Sequence, residues 1–166
     1  YGNSTTIAFD VTDQGTAKMV LLALAETVAA RLRKDLVRAE VISVGIKDHE
    51  FRYYSHQMVM GAATNITQEL HSAACLLFDQ LWDGRPIRLL GLHTSRVKEG
   101  GYRQMDLFDT TNYEKLERAD RAIDDIRSRY GIDAVKRAAF LADKPIDHMS
   151  GGITRDKREV DYSKEK

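Results

Sequence analysis

Residues 38–47, RAEVISVGIK, decide the fold because their side chains alternate in character with a period of two. Successive side chains of a β-strand point to opposite faces of its sheet. One side of this stretch is apolar, and the other is small, polar or basic. The apolar side carries Ile42, Val44 and Ile46, and the other side carries Ser43, Gly45 and Lys47. The pattern predicts a strand with one face buried in a core and one face open.

Three further strands are indicated around this stretch. Residues 48–50, DHE, form a polar turn, and residues 51–60 predict a strand that pairs with the first in a hairpin. Residues 5–11 and 87–97 have the same strand-like character. The sequence therefore predicts one four-stranded sheet.

Two helices separate these strands. Thr12 or Asp13 can cap the first, and Asn65 begins the second, which Asp83-Gly84 ends. The order strand, helix, strand, strand, helix, strand suits an α+β fold, the βαββαβ split sandwich. Each helix carries a single apolar stripe at the helical period, so both should cover one face of the sheet and leave the other open.

The chain changes character beyond Asp109. Thr111-Asn112 can cap a third helix, Gly131 can end it, and Asp133 should begin a second short helix. The apolar residues of this helical tail are Leu116, Ala119, Ile123, Ile126 and Tyr130, and then Val135, Ala139 and Leu141. Two such helices cannot bury their stripes alone, so they should dock on the sheet domain, on missing domains or on a partner copy.

These patterns divide the chain into four parts. They are a sheet domain over residues 1–99, a linker over 100–110, a helical tail over 111–143 and a polar, poorly ordered C-terminus over 144–166.

Composition narrows the class of protein. The formal net charge of the 166 residues is zero, which argues against strong nonspecific binding to nucleic acid. Cys75 is the single cysteine, which excludes an internal disulfide and a cysteine-based metal site and fits a cytoplasmic location. No apolar run approaches the roughly 20 residues that cross a bilayer. The chain begins at Tyr1 rather than Met, so we expect a piece of a longer protein.

Local charge is more informative than the total. Between Arg85 and Arg103 there are five basic residues and one acidic residue. Small residues beside cations would let a phosphate backbone approach an open sheet face closely. The candidates on that face are Ser43, Gly45, Lys47, Arg88 and His93, with Arg52 and His56 near its edge. A solvated charge on an exposed sheet is the plain alternative for each basic residue.

A second candidate site is the peptide Gln104-Met105-Asp106-Leu107-Phe108. Gln104 can donate and accept hydrogen bonds, and Leu107 and Phe108 are large apolar anchors of the kind that dominates interface energy. The preceding Gly100-Gly101 disfavours a folded core here. The peptide is typical of a docking element, and the alternative is that its Leu-Phe pair packs on its own domain.

Several stretches in one order resemble a known family. Residues 86–92, PIRLLGL, followed within twenty residues by the peptide at 104–108, are similar to the end of Y-family DNA polymerases. More narrowly, they resemble DNA polymerase IV-like proteins of the impB/mucB/samB group. Further stretches resemble, in the same order, the little finger and the C-terminal tail of that family. They are residues 21–33, 44–47, 77–84, 122–131, 135–138 and 151–152. The resemblance covers nearly the whole chain.

The resemblance implies a little finger domain that lies along duplex DNA, with its sheet facing the major groove and gripping phosphates of both strands. Its partners would be primer–template DNA and, through residues 104–108, the sliding clamp. Phosphate contacts are then assigned to Lys47, Arg52, Arg88, His93 and Arg96, and hydroxyl or backbone N–H donors to Ser43, Gly45 and Ser95. His93 departs from the arginine often found there, which weakens the expected contact.

The resemblance also implies that the palm, fingers and thumb lie upstream of Tyr1. In the family the palm holds the acidic residues that bind magnesium, so we expect no metal or other cofactor, and no catalytic residue, in this chain. We also expect no membrane partner. Two rivals remain. A free-standing ferredoxin-like RNA-binding module should show exposed aromatic residues centred on its sheet. A small enzyme of that fold should show a deep pocket with shifted ionisable groups.

Overall fold

The computed structural model describes residues 1–100 and 109–141, and residues 7–9 are described by their backbone alone. The elements in chain order are β1 (Gly2–Val11), α1 (Gln14–Lys34), β2 (Val37–Asp48), β3 (Tyr53–Thr64), α2 (Thr67–Leu81), β4 (Ile87–Glu99) and α3 (Tyr113–Tyr130), followed by 3-10 turns at Ile132–Ala134 and Ala138–Leu141. The predicted βαββαβ order is confirmed. None of the helices in these described ranges is long and apolar enough to cross a membrane.

The four strands form one sheet in the order β1-β4-β2-β3, and every neighbouring pair is antiparallel. The predicted hairpin of β2 and β3 is therefore present. β1 and β2 run in the same direction with β4 between them, and β3 and β4 run in the same direction with β2 between them. Because α1 joins the first pair and α2 the second, the domain consists of two interlocked split βαβ units.

Both helices pack on one face of this sheet. The apolar side of β2 is buried as predicted, with Ile42 and Val44 fully buried and Ile46 4% exposed. Across the ladder these residues lie beside Leu90 and Leu92 of β4, and the core includes leucines of α1 and α2. Fully burying each such side chain contributes about 1.5–3 kcal/mol to folding, which makes this face the structural one.

The two helices begin in different ways. Asp13 caps α1 as predicted, and its carboxylate accepts a hydrogen bond from the Thr16 N–H at 2.8 Å. α2 begins at Thr67, two residues later than predicted, because the Asn65 side chain donates to the Val37 carbonyl at 3.1 Å instead of capping the helix. The residue before α2 is Ile66, which has no polar side chain to serve as a cap.

The C-terminal segment agrees with the prediction in part. The Asn112 side chain caps α3, and Gly131 ends it with a φ of 96°. The second short helix predicted from Asp133 is wrong, since the chain forms two separate 3-10 turns there. The Arg127 guanidinium binds the Val135 carbonyl at 2.8 and 3.0 Å, and Phe140 is buried in the core. These tertiary contacts interrupt the segment where local periodicity alone predicts a helix.

α3 docks on the helix layer of the sheet domain. Its contacts are polar: Arg33 of α1 forms ion pairs with Asp120 at 3.1 Å and Asp124 at 2.6 Å. The predicted apolar stripe lies only in part on the docking face: Leu116 and Ile123 are half-buried, whereas Ile126 and Tyr130 at its end are exposed. The tail is thus joined to the domain by ion pairs of α3 and by the buried Phe140 side chain.

Candidate nucleic-acid interface

The face of the sheet away from the helices is defined by the strand register. Residues directly opposite each other in an antiparallel ladder share a face. Ser43 lies opposite His93, Gly45 opposite Gly91 and Lys47 opposite Leu89. By the same register, the open face carries Gly2, Ser4, Thr6, Val41, Ser43, Gly45, Lys47, Tyr53, Ser55, Gln57, Val59, Leu89, Gly91, His93 and Ser95. None of these described positions is a carboxylate.

Two side chains lie flat across glycines on this face. A Cβ on Gly45 would come within 2.1 Å of the Tyr53 hydroxyl oxygen, and a Cβ on Gly2 would come within 2.1 Å of the His93 Nδ1. The absence of a Cβ thus leaves room for each ring to lie in this position. Because the rings extend along the sheet and not away from it, the centre of the open face is shallow. A long, regular backbone such as that of duplex DNA can approach such a surface.

The structure brings five of the predicted residues together on this face. They are Ser43, Gly45, Lys47, His93 and Ser95. The assignment of a backbone N–H donor to Gly45 stays a prediction. β2 is paired on both sides, so its backbone groups belong to the ladders with β4 and β3, and the Tyr53 ring lies across Gly45 on the open face.

The other predicted residues lie elsewhere. Arg88 falls between Ile87 and Leu89 at a bulge of β4, and Arg96 lies near the far end of the same strand with a φ of 50°. Arg52 forms ion pairs with Asp48 and Glu50, so its charge is already compensated. His56 lies opposite Val44, whose side chain is in the core, and therefore on the helix side of the edge strand β3.

The predicted polar turn between β2 and β3 is organised by Asp48. This carboxylate is almost fully buried and accepts hydrogen bonds from the N–H groups of Glu50 and Arg52 at 2.9 Å and from the Arg52 guanidinium at 3.1 Å. Burial favours the protonated acid, but the bonds from Arg52 outweigh it and hold the pKa of Asp48 below its usual value. An Asp at the start of a polar turn is the signal that could have revealed this role.

The turn also presents Phe51, a residue that the sequence analysis missed. Its side chain is 62% exposed and its φ is 65°, in the left-handed region. The Arg88 guanidinium carbon lies 4.8 Å from the centroid of the Phe51 ring, which is cation–π distance. No local pattern in the sequence indicates this conformation, because aromatic residues rarely adopt it.

The described residues offer little support for an enzyme. His71 Nε2 lies 3.0 Å from the Lys18 carbonyl oxygen and 3.3 Å from the Cys75 sulfur. Burial lowers the pKa of His71 and raises the pKa of the Cys75 thiol, so this pair favours a neutral imidazole and an unreactive thiol. Within residues 1–100 and 109–141 no three acidic, histidine or cysteine residues are grouped so as to hold a metal ion.

A groove of about 1080 Å³ runs between α1 and α3. Its carboxylates include Glu26 and Asp124, and both are bound by arginines: Arg137 lies 2.6 Å from Glu26, and Arg33 lies 2.6 Å from Asp124. These two carboxylates therefore serve to hold α3 in place on α1.

The RNA-binding alternative needs exposed aromatic residues at the centre of the sheet. On the described positions of the open face, the central strands β4 and β2 carry no Phe, Tyr or Trp, and His93 of β4 has the one aromatic ring there, lying across Gly2. Tyr53 is aromatic, but it lies on the edge strand β3 and across Gly45. This arrangement does not favour the stacking of bases on the sheet.

The sequence of the chain is similar to those of several known proteins. A family model described as the impB/mucB/samB family C-terminal domain matches residues 1–107. A DNA polymerase IV of Clostridium acetobutylicum is 34% identical over 139 residues, which cover 84% of this chain and 35% of that protein. A putative UV-damage repair protein, UvrX, of Bacillus subtilis is 30% identical over 157 residues, which cover 93% of this chain and 38% of that protein.

A solved little finger domain of PolIV, in complex with the beta-clamp processivity factor, has the same fold. Its TM-score is 0.50 at 24% identity, and the match covers 65% of this chain and 97% of that one. The chain spans about a third of the length of the curated relatives that it matches.

Proposed function

The chain belongs to the impB/mucB/samB family through its C-terminal domain, and from this premise we propose that it is the DNA-gripping little finger of a lesion-bypass DNA polymerase. The observation that carries the proposal is the open sheet face. That face has no carboxylate among its described positions, and it bears Lys47 and His93 with Arg88 and Arg96 at the ends of β4. Phosphates are the ligands that a shallow, polar and basic surface of this kind attracts.

The spacing of the cations fits a duplex. Lys47 lies beside Leu89, and His93 is four residues further along β4, so the two positions are about 14 Å apart at strand spacing. The major groove of B-DNA is about 12 Å wide, so two side chains at this separation would reach phosphates on both of its sides. Ser43 and Ser95 lie near His93 and offer hydroxyl donors to the same backbone.

We assign the phosphate contacts to Lys47, Arg88, His93 and Arg96. Within the described part of the chain, no carboxylate lies within ion-pair distance of Lys47, Arg88 or Arg96. We do not assign phosphate contacts to Arg52 and His56, because Arg52 is ion-paired and His56 lies on the helix side of the sheet. Only a few cations are assigned to phosphate contacts, and the net charge of the chain is zero. We therefore expect binding to DNA that is weak, sensitive to salt and indifferent to sequence.

The sliding clamp is the second proposed partner, through residues 104–108. This peptide lies outside the described residues. It connects β4, which ends at Glu99, to α3, which begins at Tyr113. The Leu107-Phe108 pair supports the proposal, as does the solved complex of a related little finger domain with its clamp.

The remaining parts of the proposal concern the parent protein. Because the relatives are about three times longer than the matched region, we place the palm, fingers and thumb upstream of Tyr1 and the magnesium site in that palm. Within this chain the proposed division is a DNA-binding domain over residues 1–99, a clamp-binding linker over 100–110, a docked tail over 111–143 and a C-terminus over 144–166.

Fluorescence anisotropy with labelled primer–template DNA tests the DNA-binding proposal. Lys47→Ala and Arg88→Ala should each weaken binding to all sequences alike and reduce the log–log salt slope by about one. The matched control is Lys34→Ala, which removes an exposed lysine at the end of α1 on the helix side. If the control weakens binding as much as Lys47→Ala does, the open face is not the binding surface.

A further inference from the structure

Phe51 combines a strained backbone conformation with a largely exposed aromatic ring. Its left-handed φ of 65° brings the Cβ close to the following carbonyl, which is unfavourable for a bulky residue. Such strain is normally offset by burial, yet the ring is 62% exposed. Strained residues of this kind cluster at sites of function, which makes Phe51 a candidate for contact with a ligand.

The surrounding turn holds Phe51 in this conformation. The Phe51 N–H donates to the Asp48 carbonyl at 3.1 Å, and the Asp48 N–H donates to the Arg52 carbonyl at 3.0 Å. The Asp48 carboxylate accepts two more backbone N–H groups in the same turn. The backbone is therefore fixed without any contribution from the Phe51 side chain, and the ring is presented at a fixed place.

Arg88 reaches the same place from another strand. Ile87 lies opposite Asp48 and Leu89 lies opposite Lys47, so Arg88 is the extra residue of a bulge in β4. Bulges redirect a side chain, and here the Arg88 guanidinium carbon lies over the Phe51 ring, 4.8 Å from its centroid. A guanidinium has five N–H donors, and within the described residues no carboxylate lies within ion-pair distance of Arg88, so these donors suit a phosphate.

The two residues match the two parts of one nucleotide backbone unit. The guanidinium donors suit a phosphate, and the exposed side of the ring suits the apolar face of a deoxyribose. We propose that Phe51 contacts DNA directly, packing on a sugar whose phosphate is held by Arg88, at the corner of the open face next to Lys47. The inference rests on the proposed function and adds a contact that carries no charge.

Phe51→Gly separates this role from a structural one. Glycine adopts a positive φ without penalty, so the variant should melt at a higher temperature than the wild type. If the ring contacts DNA, the same variant should bind duplex roughly fivefold or more weakly. Its salt slope should be unchanged, because no phosphate contact is lost. Arg88→Ala, by contrast, should reduce that slope by about one.

Leu36→Gly is the matched control. Leu36 also has a positive φ, 56°, and is 78% exposed, but it follows α1 on the helix side. The Leu36→Gly variant should melt at a higher temperature than the wild type and bind DNA with the wild-type affinity. The inference is overturned if Phe51→Gly binds with wild-type affinity, or if it loses the same unit of salt slope as Arg88→Ala, since the ring would then act through Arg88 alone.

The same titrations distinguish this inference from the proposed function. If the wild type binds duplex and Lys47→Ala weakens it while Phe51→Gly does not, the contact by Phe51 is refuted and the little finger proposal stands. If the wild type shows no salt-dependent binding to duplex at low ionic strength, the proposed function is refuted and the inference is refuted with it.

Discussion

The Asp120 carboxylate of α3 accepts a hydrogen bond from the backbone N–H of Thr67 at 2.8 Å, so one helix caps the start of another. The same carboxylate forms an ion pair with Arg33, and both side chains are 8% exposed. Because Ile66 cannot cap α2, the domain takes that cap from the tail. The tail is therefore part of the folded unit.

Replacing Asp120 should destabilise the whole domain. Asp120→Ala removes the cap and leaves the buried Arg33 with Asp124 as its remaining ion-pair partner, and we expect a loss of about 3 kcal/mol in the free energy of unfolding. Asp125→Ala is the control, since Asp125 is exposed on the same helix, and should change it by less than about 0.5 kcal/mol. Urea unfolding measures both. Equal losses would mean that Asp120 has no special role.

The β2–β3 turn that Asp48 organises should make the stability of the fold depend on pH in the acidic range. The folded-state pKa of this carboxyl is lowered, so its contribution is fully present above the unfolded value of about 3.9 and is lost as pH falls through the lower folded value. Asp48→Asn should therefore melt below the wild type at pH 7, and the difference should shrink below about pH 4. Thermal melts across this range measure the effect, and a constant difference at every pH would contradict it.

We expect His71 to make the stability of the fold depend on pH in a second, higher pH range. Burial lowers its pKa in the folded state, so the unfolded chain takes up a proton first, and stability should begin to fall as pH drops below about 6.5. His71→Gln should remove this decline. Melts of both proteins between pH 8 and pH 5 test the point, and parallel curves would show that His71 does not titrate in this range.

The peptide at residues 104–108 should bind the sliding clamp. Replacing Leu107 and Phe108 by Ala removes two anchors that contribute roughly 2 kcal/mol or more each, a loss of about 30-fold in affinity per residue. Lys115→Ala is the control, because Lys115 is exposed in the first turn of α3 and lies outside the peptide. Titration against purified clamp measures binding, and melting temperatures should match the wild type. A large drop in melting temperature would mean that the Leu-Phe pair packs on its own domain.

The isolated chain should not extend a primer. If the acidic residues that bind magnesium lie in a palm upstream of Tyr1, incubation with primer–template, nucleotides and magnesium should yield no longer product. Chromatography fractions assayed in parallel provide the control for a contaminating polymerase. Extension that follows the protein peak would refute the proposed division of the parent protein.

Sequence reasoning was most successful where one segment carries its own signal. The alternation at Ile42, Val44 and Ile46 reports which face of β2 is buried, and Asp13 and Asn112 report where two helices begin. For His56 the sequence indicated only a place near the edge of the open face, because the face on which a strand residue lies depends on register, and Ser55 rather than His56 shares the face of Gly45. A shift of one residue exchanges the two faces.

By itself, the sequence determined the order of the elements, the buried face of the sheet and the small, polar and basic character of the other face. These follow from periodicity, since burial acts on every second residue of a strand and every third or fourth of a helix. The tertiary structure alone decided that Arg52 is ion-paired with Asp48, that Arg88 lies over the Phe51 ring and that Asp120 caps α2. Periodicity indicates which side of an element is buried. The partner of a charged residue depends instead on strand order, bulges and turns, because these bring together residues that are distant in the chain.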